Sequence, residues 1–335
     1  FYLAEVRVKL EHWLRFLTKR EQKFLSMRFG LGLGDDHGGS GVAIGAQKAT
    51  YRHPQILDKI AIKIPAGEKD WLLKIAKTSM STKLVSREAV LLAEQVVDAL
   101  LLVAEKNGTV YRVDIDDVKV EKKAGGTVRD TQLIKGIVLD KEVIHTGMPK
   151  KIENPKIALI NAPLEIEKTE FDAKINISNP EQIKAFLDEE NKMLKEMVDR
   201  VVEVGANVVV CQKGVDDIAQ HYMAKAGILA VRRVKESDLT KLAKATGGRM
   251  VTNLGDLGVK DLGSAAIVEE RKIEEDKWVF IEGCKNPKAV TLLVRGSNQR
   301  IVDEAERALH DALMVVKDVM QHPAIVIGGG APEAE

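Results

Sequence analysis

The sequence predicts an α/β protein in which a sheet containing parallel strands is flanked by helices. The main observation is an alternation of strand-like and helix-like segments over residues 207–254, where short glycine-containing turns join several of them. A helix placed between two strands returns the chain to the same end of the sheet, so strands connected in this way lie parallel. A second observation is a strong amphipathic helix that follows Asn179 and Pro180 and ends at Gly205.

The part of the chain before the alternation is predicted to be mainly helical at first. Residues 5–29 form two predicted helices, and a glycine-rich linker follows at residues 30–41. A helical pattern then runs from Asp70 to the Asn-Gly stop signal at residues 107–108. The polar sequence TSMSTK at residues 78–83 interrupts this pattern.

The remaining elements follow in order. Strands are predicted at residues 136–144 and 156–161, before the helix that follows Pro180. The alternating part then reads strand NVVVCQ, helix VDDIAQHYMAKA, strand ILAVRRV, helix SDLTKLAKAT and strand RMVTNL. Two more strands, WVFIEGC and AVTLLVRG, lead into a helix at residues 301–320. Its apolar stripe is Ile301, Ala305, Ala308, Leu309, Ala312, Val316 and Val319.

Composition excludes several classes of protein. A chain of 335 residues is expected to form two or three domains. Its 51 basic and 50 acidic residues are interspersed and leave a net charge of +1, so electrostatic binding to nucleic acid or to a membrane surface is not expected. The most apolar stretch, residues 89–104, contains Glu94, Gln95 and Asp98 and is therefore predicted to be a buried helix rather than a membrane span.

The two cysteines indicate a reducing compartment and no metal centre. Cys211 and Cys284 each lack a second cysteine or histidine at metal-ligand spacing. A cytoplasmic location is therefore expected. The chain begins at Phe1 rather than Met, which predicts either a processed chain or a piece of a longer one.

Candidate chemistry is confined to a few residues, because the sequence contains no H-E-x-x-H, G-x-S-x-G or Walker motif. Asp311 lies off the apolar stripe of its helix, as a solvated carboxylate does, although a carboxylate there can also orient a water beside a phosphate. Lys83 is either a solvated lysine or a point charge that senses phosphate. The glycines at residues 328–330 form either a flexible turn or a close approach to a nucleotide.

Longer stretches resemble a known family. They are LLKIAKTSMSTK, LIKGIVLDKEVIHTGMPKKIENPKIALIN, KTEFDAKINISNPEQIKAFLDEENKMLKEMVDRVVEVGANVVVCQKGVDDIAQHYMAKAGILAVRRVKESDLTKLAKATGG, FIEGCKNPKAVTLLVRG and ERALHDALMVVKDVM followed by GGGAPE. Over about residues 41–335 they resemble the group II chaperonins, that is, the archaeal thermosome and its eukaryotic cytosolic relatives. The resemblance implies an ATP-dependent subunit of a lidded, double-ring chamber in which unfolded proteins fold.

The resemblance also implies a domain map. Residues 126–283 would be the apical domain, with sheet layers, flanking helices and a lid protrusion at about residues 165–195. A smaller two-segment α/β intermediate domain would comprise residues 69–125 and 284–320. Residues 41–68 and 321–335 would be remnants of an equatorial domain, and residues 1–40 a helical N-terminal segment with its linker.

Roles in ATP hydrolysis follow where residues match the family. The resemblance implies that Asp311 is the catalytic aspartate that positions the attacking water. It implies that Lys83 senses the γ-phosphate and that Gly328, Gly329 and Gly330 line the nucleotide, with ATP and Mg²⁺ as cofactors. The partners implied are unfolded client proteins and identical or homologous subunits of a ring.

Client contact is implied for two helical segments. Leu239, Leu242 and Ala243 belong to the segment SDLTKLAKATGG, which corresponds to a cavity-facing apical helix, although these side chains can equally be ordinary core. Phe186 and Leu187 belong to the predicted protrusion, where exposed apolar residues serve a lid or a client.

The sequence also departs from the family. The phosphate-holding G-D-G-T-T loop does not occur, since Gly34, Asp35 and Asp36 do not reproduce it, and the C-terminal half of the equatorial domain is not matched. By itself the chain is therefore expected to bind ATP poorly, and whether it acts as an enzyme stays open. The alternative is a passive apical and intermediate fragment that binds clients without ATPase activity.

Residues 8–34 carry a separate resemblance. The stretch VKLEHWLRFLTKREQKFLSMRFGLGLG resembles the start of the promoter-binding C-terminal domain of primary bacterial sigma factors. The helix-turn-helix that would read the major groove does not follow it. The segment is interpreted as an amphipathic helix pair that matches by chance or as a join between unrelated pieces. A DNA-binding, transcription-related function is the second alternative.

Overall fold

The computed structural model describes residues 57–108, 110–166, 180–284 and 288–328. The chain divides into two units, one formed by Phe1–Ile64 with Ala324–Glu335 and the other by Pro65–Pro323. In the first unit, strand β1 (Ile62–Lys63) pairs antiparallel with a strand formed by Ala324–Ile325. All the elements discussed below lie in the second unit. The domain boundaries implied by the family resemblance stay predictions.

Six α-helices lie wholly within the described residues. They are α1 (Lys69–Met80), α2 (Ala89–Val103), α3 (Pro180–Glu203), α4 (Asp217–Lys225), α5 (Glu236–Thr246) and α6 (Gln299–Gln321). All six were predicted from helical periodicity, with boundaries that differ by a few residues. Among the described residues, no helix is both long enough and apolar enough to cross a membrane.

Fourteen further described strands form four sheets. In chain order they are β2 (Glu105–Asn107), β3 (Val110–Arg112), β4 (Val118–Ala124), β5 (Gln132–Ile134), β6 (Gly136–Leu139), β7 (Lys151–Glu153), β8 (Lys156–Ile160), β9 (Val208–Cys211), β10 (Leu229–Val231), β11 (Met250–Val251), β12 (Gly263–Ser264), β13 (Ile267–Ile273), β14 (Asp276–Glu282) and β15 (Val290–Gly296). The partner of β1 is β16 (Ala324–Ile325). Strands β2 and β3 form a hairpin of their own.

The predicted parallel sheet is confirmed. Strands β8, β9 and β10 are parallel neighbours, with Ile157 opposite Val208 and Val208 opposite Leu229. Strand β11 lies parallel to β8 on its other side, and β12 pairs antiparallel with β8. Helices α3, α4 and α5 lie in the chain between successive strands of this sheet, as βαβ units require. The strands are almost wholly buried, which explains their continuous apolar sequences.

A second, antiparallel sheet has the order β6-β14-β13-β7. Strands β13 and β14 form a hairpin in which Ile267 lies opposite Glu282 and Ile273 opposite Asp276. Strand β13 was not predicted, because its sequence IVEERKI is mostly charged. The charged side chains are paired instead of solvated: Arg271 donates to both carboxylate oxygens of Glu282, at 2.7 and 2.8 Å.

The third sheet has the order β4-β15-β5 and carries α6. Every residue of β15 is buried, and it runs parallel to β4 with Val290 opposite Val118. Strand β4, with the sequence VKVEKKA, was not predicted either. It is an edge strand of this sheet and most of its side chains are only half-buried, so lysines are tolerated along it.

Helix α6 confirms the predicted stripe. The side chain of Asn298 accepts a hydrogen bond from the Ile301 backbone N–H at 3.0 Å and so caps the first turn. Ile301 itself is half-buried. The buried face packs against α1, α2, β4 and β15, and it consists of Val302, Ala305, Ala308, Leu309, Ala312, Leu313, Val316, Val319 and Met320.

One predicted boundary is wrong. The helix expected to reach residues 107–108 ends at Val103, and Ala104 is extended. Gly108, with φ of +63°, lies in the turn between β2 and β3. Asn107 pairs with Val110 in this hairpin, so Gly108 is the first residue of the two-residue turn, a position where a positive φ favours glycine.

Replacing Leu309 by alanine should destabilise the protein strongly, because this side chain is 0% exposed within the α6 interface. Removing its buried methyl groups is expected to lower the free energy of unfolding by about 2–5 kcal/mol. Chemical denaturation measures this loss. Val315→Ala is the control, since Val315 is 41% exposed on the same helix and should change stability by about 0.5 kcal/mol or less. Equal losses for the two variants would contradict the packing described.

Candidate functional site

The structure brings together the two charged residues singled out from the sequence. Lys83 and Asp311 are 228 residues apart in the chain, and the Lys83 ammonium donates a hydrogen bond to Oδ2 of Asp311. The Lys83 side chain is 21% exposed and the Asp311 side chain 52% exposed. The pair therefore lies at the surface, where a solute can reach both charges.

The loop that carries Lys83 is held by short-range hydrogen bonds. Helix α1 ends at Met80, and the Ser81 hydroxyl donates to the Thr78 carbonyl at 2.8 Å. The Lys83 N–H donates to the Met80 carbonyl at 3.2 Å, and the Ser86 N–H donates to the Lys83 carbonyl at 3.0 Å. Successive tight turns thus fix the backbone at Lys83. No role was predicted for the Ser81 hydroxyl, although serine and threonine clustered as in TSMSTK are typical of such turns.

Asp311 is held ionised by its surroundings. The hydrogen bond from Lys83 is the largest cause that lowers the pKa of the Asp311 carboxyl below its ordinary value. Partial burial acts in the opposite direction, and the charges of Lys83, His310 and Arg307 lower this pKa further. The carboxylate is therefore available as a hydrogen-bond acceptor over the whole neutral range.

The predicted glycine turn is described only in part. Gly328 belongs to the first unit and is exposed, and a Cβ atom added to it would meet no atom within 4 Å. Gly329 and Gly330 lie outside the described residues. No close approach that requires glycine is seen at Gly328, so its role at a nucleotide stays a prediction.

Two of the predicted client-binding residues lie in the core. Leu239 and Leu242 are both 0% exposed, and Ala243 is partly buried against the same cluster. They belong to the main core cluster, because the apolar stripe of α5 is its buried face. A client cannot contact Leu239 or Leu242 in this conformation, so the structure favours the ordinary-core alternative for this helix.

Phe186 and Leu187 are placed differently. They are 49% and 52% exposed, and all side chains over residues 184–190 of α3 are exposed. Burial on this helix starts at Leu194 and continues through Val198 and Val201. Residues 184–190 of α3 therefore present two large apolar side chains to solvent.

Both cysteines are free and buried. Burial raises the pKa of the Cys211 thiol and of the Cys284 thiol to about 11. Thiolate is the reactive form of cysteine, so neither residue is suited to nucleophilic or redox chemistry at neutral pH.

The fold and the placement of these residues define an α/β protein with a lysine–aspartate pair at its surface. Comparison with known proteins identifies its family. The model of the TCP-1/cpn60 chaperonin family matches residues 39–335. The chain therefore belongs to the TCP-1/cpn60 chaperonin family. Residues 8–34, which resemble a sigma factor segment, precede the matched range and lie outside the described residues.

Individual relatives are thermosome subunits. Thermosome subunit beta of Thermococcus kodakarensis is 57% identical over 295 residues, which cover 88% of this chain and 53% of that protein. The thermosome subunit of Methanopyrus kandleri is 54% identical over 294 residues, with 88% and 54% covered. The chain thus spans about half the length of the curated relatives it matches.

A solved structure matches as well. The open-state monomer of a group II chaperonin from Methanococcoides burtonii superimposes with a TM-score of 0.70 at 36% sequence identity. The match covers 98% of this chain and 73% of that chain. The predicted α/β chaperonin fold class is confirmed by this likeness.

Removing the Lys83 ammonium should shift the titration of Asp311. In Lys83→Met the pKa of the Asp311 carboxyl is expected to rise towards the ordinary aspartate value, because the main group that lowers it is gone. Carbon-13 NMR of labelled aspartate carboxyls measures the change. Lys77→Met, a nearby exposed lysine on α1, should leave this titration unchanged.

The sign of the stability effect follows from the same shift. The pKa of Asp311 is lower in the folded protein, so the pair stabilises the protein above the unfolded-state pKa, and this contribution is lost as pH falls through the folded-state pKa. Unfolding curves of the parent and Lys83→Met should therefore converge in acid. Curves that stay equally far apart at every pH would contradict an ionic origin.

Proposed function

We propose that this chain serves as part of a group II chaperonin subunit that binds unfolded proteins and couples their folding to ATP hydrolysis. The observation that supports this most strongly is the contact between Lys83 and Asp311. The family resemblance assigns these residues to two phosphate-responsive positions, and the two chain segments that carry them, distant in sequence, meet in the structure. A cation and a carboxylate exposed together suit the terminal phosphate of a nucleotide and the water beside it.

The two side chains have complementary roles in this proposal. Asp311 accepts a hydrogen bond from a water molecule and orients it for in-line attack, while its lowered pKa keeps the carboxylate unprotonated. Lys83 supplies positive charge opposite the phosphate oxygens, and its pairing with Asp311 neutralises the carboxylate until an anion competes for the ammonium. ATP bound with Mg²⁺ would supply the phosphoryl group, and Gly328, Gly329 and Gly330 would line the nucleotide.

Client binding is assigned to the exposed residues 184–190 of α3. Phe186 and Leu187 offer apolar surface in a segment whose neighbours over residues 184–190 are also exposed. Unfolded proteins expose apolar side chains, so contact between the two removes apolar surface of both from water. The same segment would form the lid protrusion of a closed chamber.

Identical or homologous subunits would complete a ring with this chain, and the chamber would operate in the cytoplasm. Support comes from the family membership, because the matched relatives are thermosome subunits.

A passive client-binding fragment is the first alternative. It is favoured by the sequence, which contains no copy of the G-D-G-T-T loop that holds phosphate and magnesium in the family. Such a fragment would bind unfolded protein through Phe186 and Leu187 without turning over ATP.

A transcription-related function through residues 8–34 is the second alternative. It rests on the sigma factor resemblance of that segment alone. Specific binding of promoter DNA that weakens as salt rises would support it, and absence of such binding would remove it.

Asp311→Asn should abolish most ATP turnover in rings that contain this chain, whether formed by the chain alone or with homologous subunits. Loss of a group that orients the attacking water is expected to slow hydrolysis by about 10²-fold or more. A steady-state phosphate-release assay measures the rate, and light scattering verifies the ring. Asp318→Asn is the matched control, since Asp318 is an exposed aspartate on the same helix.

The outcomes separate the hypotheses. Equal turnover in Asp311→Asn and Asp318→Asn would overturn the role of Asp311. A chain that neither forms rings nor hydrolyses ATP, yet slows the aggregation of an unfolded protein, would support the passive fragment. A chain with none of these properties would contradict both.

Replacing Phe186 and Leu187 by serine should weaken client binding, because the exposed apolar surface at the start of α3 is then lost. The measurement is the light scattering of a heat-denatured client protein mixed with the chain. Val202→Ser is the control, since Val202 is 45% exposed near the other end of the same helix. Equal suppression of aggregation by both variants would place the client-binding surface elsewhere.

A further inference from the structure

Lys119 on strand β4 is a buried cation with all its hydrogen-bonding capacity in use. Its ammonium lies 2.8 Å from the carbonyl oxygen of Val138, 2.8 Å from the carboxylate of Glu121 and 2.9 Å from that of Asp238. The side chains of Lys119 and Asp238 are only 6% and 5% exposed. An ammonium group has three N–H donors, so this arrangement leaves none without an acceptor.

The acidic side chains around Lys119 do not amount to a metal site. Glu121, Asp140 and Asp238 bring carboxylate oxygens within 4.8 Å of one another. The Lys119 ammonium pairs with two of these carboxylates, so the chain itself supplies the positive charge that the cluster requires. The cluster therefore joins chain segments through ion pairs, and an ion pair that joins two segments in this way is here called a tie.

The segments that it ties belong to two different bodies. The first, here called the strand body, comprises residues 65–134 and 288–323 and contains β4, β15 and the Lys83–Asp311 pair. The second, here called the apical body, comprises residues 136–283 and contains α3, α4, α5 and the two larger sheets. Lys119 belongs to the strand body, whereas Asp238 and Val138 belong to the apical body.

A second ion pair ties the other end of helix α5. The Lys244 ammonium, in the last turn of α5, lies 2.5 Å from the carboxylate of Asp117, which precedes β4. Asp238 lies in the first turn of the same helix. Both ends of α5 are thus fastened to one short segment of the strand body.

The β13–β14 hairpin supplies two more ties. The Arg295 guanidinium on β15 lies 2.6 Å from the Glu274 carboxylate, and the Lys123 ammonium on β4 contacts Asp276. Three of the four ties therefore have the cation on the strand body and the anion on the apical body. The cations of these three ties lie on the neighbouring strands β4 and β15.

The backbone passes between the two bodies at two adjacent places. One lies at Gly136, with φ of +155°, and the other at Gly283, with φ of +69°. The Gly283 N–H donates to the Lys135 carbonyl at 3.2 Å, so the two passages are hydrogen-bonded to each other. A Cβ atom on Gly136 would lie 1.9 Å from the Ile281 carbonyl oxygen, which excludes any other residue there. Two adjacent passages are the backbone pattern of a hinge.

We propose that the ion pairs centred on Lys119 form a lock that makes the strand body and the apical body move as one rigid piece. A small apolar cluster also joins the bodies, with Ile134 and Leu293 on one side and Val138, Ile273, Trp278 and Phe280 on the other. That cluster joins strands β6, β13 and β14 to β5 and β15, whereas the ion pairs of Lys119 and Lys244 join helix α5 to β4 and to the segment before it. A buried pair suits this task, because separating it leaves an uncompensated charge in a dry site.

The lock has a consequence that rests on the proposed function. A movement started at Lys83 and Asp311 would reach the apolar side chains of α3 without being absorbed at the hinge. The lock itself does not depend on ATP or on clients, so its test uses neither.

The test measures the distance between the two bodies in the full chain. Spin labels on Lys77→Cys and Lys260→Cys report it, since both positions are exposed, one on α1 and one in the apical body. The native thiols of Cys211 and Cys284 are buried, with pKa values raised to about 11, so they do not compete for the label at neutral pH. Lys119→Met keeps the volume of the side chain and removes its charge. We expect the distance distribution to broaden about twofold or more, because Asp238 is left buried and unpaired.

Two further variants make the result decisive. Lys122→Met is the matched control: Lys122 lies on the same strand, but its partners Asp303 and Glu306 are on α6 in the same body, so the distribution should stay narrow. Lys244→Gln removes a half-exposed tie with less risk to folding and should broaden the distribution by a smaller factor. Widths in Lys119→Met and Lys244→Gln no greater than in Lys122→Met would overturn the lock. Circular dichroism verifies that each variant is folded.

Discussion

The packing of helix α6 is the interaction on which the arrangement of this protein depends. One face of α6 is buried against α1 and α2 and against the sheet that contains β4 and β15. Burying several aliphatic side chains in one continuous interface stabilises each of its partners together. The Lys83–Asp311 contact is a consequence, because it joins the loop after α1 to the outer face of α6. Without that interface the two charges would belong to unrelated parts of the chain.

The two kinds of ion pair in the molecule suit different purposes. Lys83 and Asp311 lie at the surface, where an ion pair contributes at most about 1 kcal/mol and can be exchanged for another partner. Lys119 and Asp238 are almost fully buried, and removal of one partner from such a pair costs about 3–5 kcal/mol. An exchangeable pair suits the phosphate response proposed for Lys83 and Asp311. A buried pair suits the lock proposed for Lys119, so burial distinguishes the two proposed roles where charge alone does not.

Periodicity predicted the elements whose burial is one-sided or complete. Helix α6, helix α3 and the apolar strands β8, β9 and β15 belong to this group, since their sequences repeat at the spacing of the structure that they form. It failed for β4 and β13, where lysine, arginine and glutamate fill strand positions. Those charges are satisfied by partners on neighbouring strands and helices, and a partner distant in sequence leaves no local pattern. The β2–β3 hairpin was missed because a glycine with positive φ, such as Gly108, is favoured both after the end of a helix and as the first residue of a hairpin turn.

The sequence by itself determined the α/β class, the parallel connections, the family resemblance and the identity of Lys83 and Asp311 as candidates, because each of these depends on local spacing or on long colinear similarity. Tertiary structure alone decided that Lys83 and Asp311 meet, that Leu239 and Leu242 are core while Phe186 and Leu187 are exposed, and that Lys119 ties two bodies together. The physical reason is that burial and ion pairing are properties of the surroundings of a residue. Those surroundings are assembled from segments more than 100 residues apart, which no local pattern records.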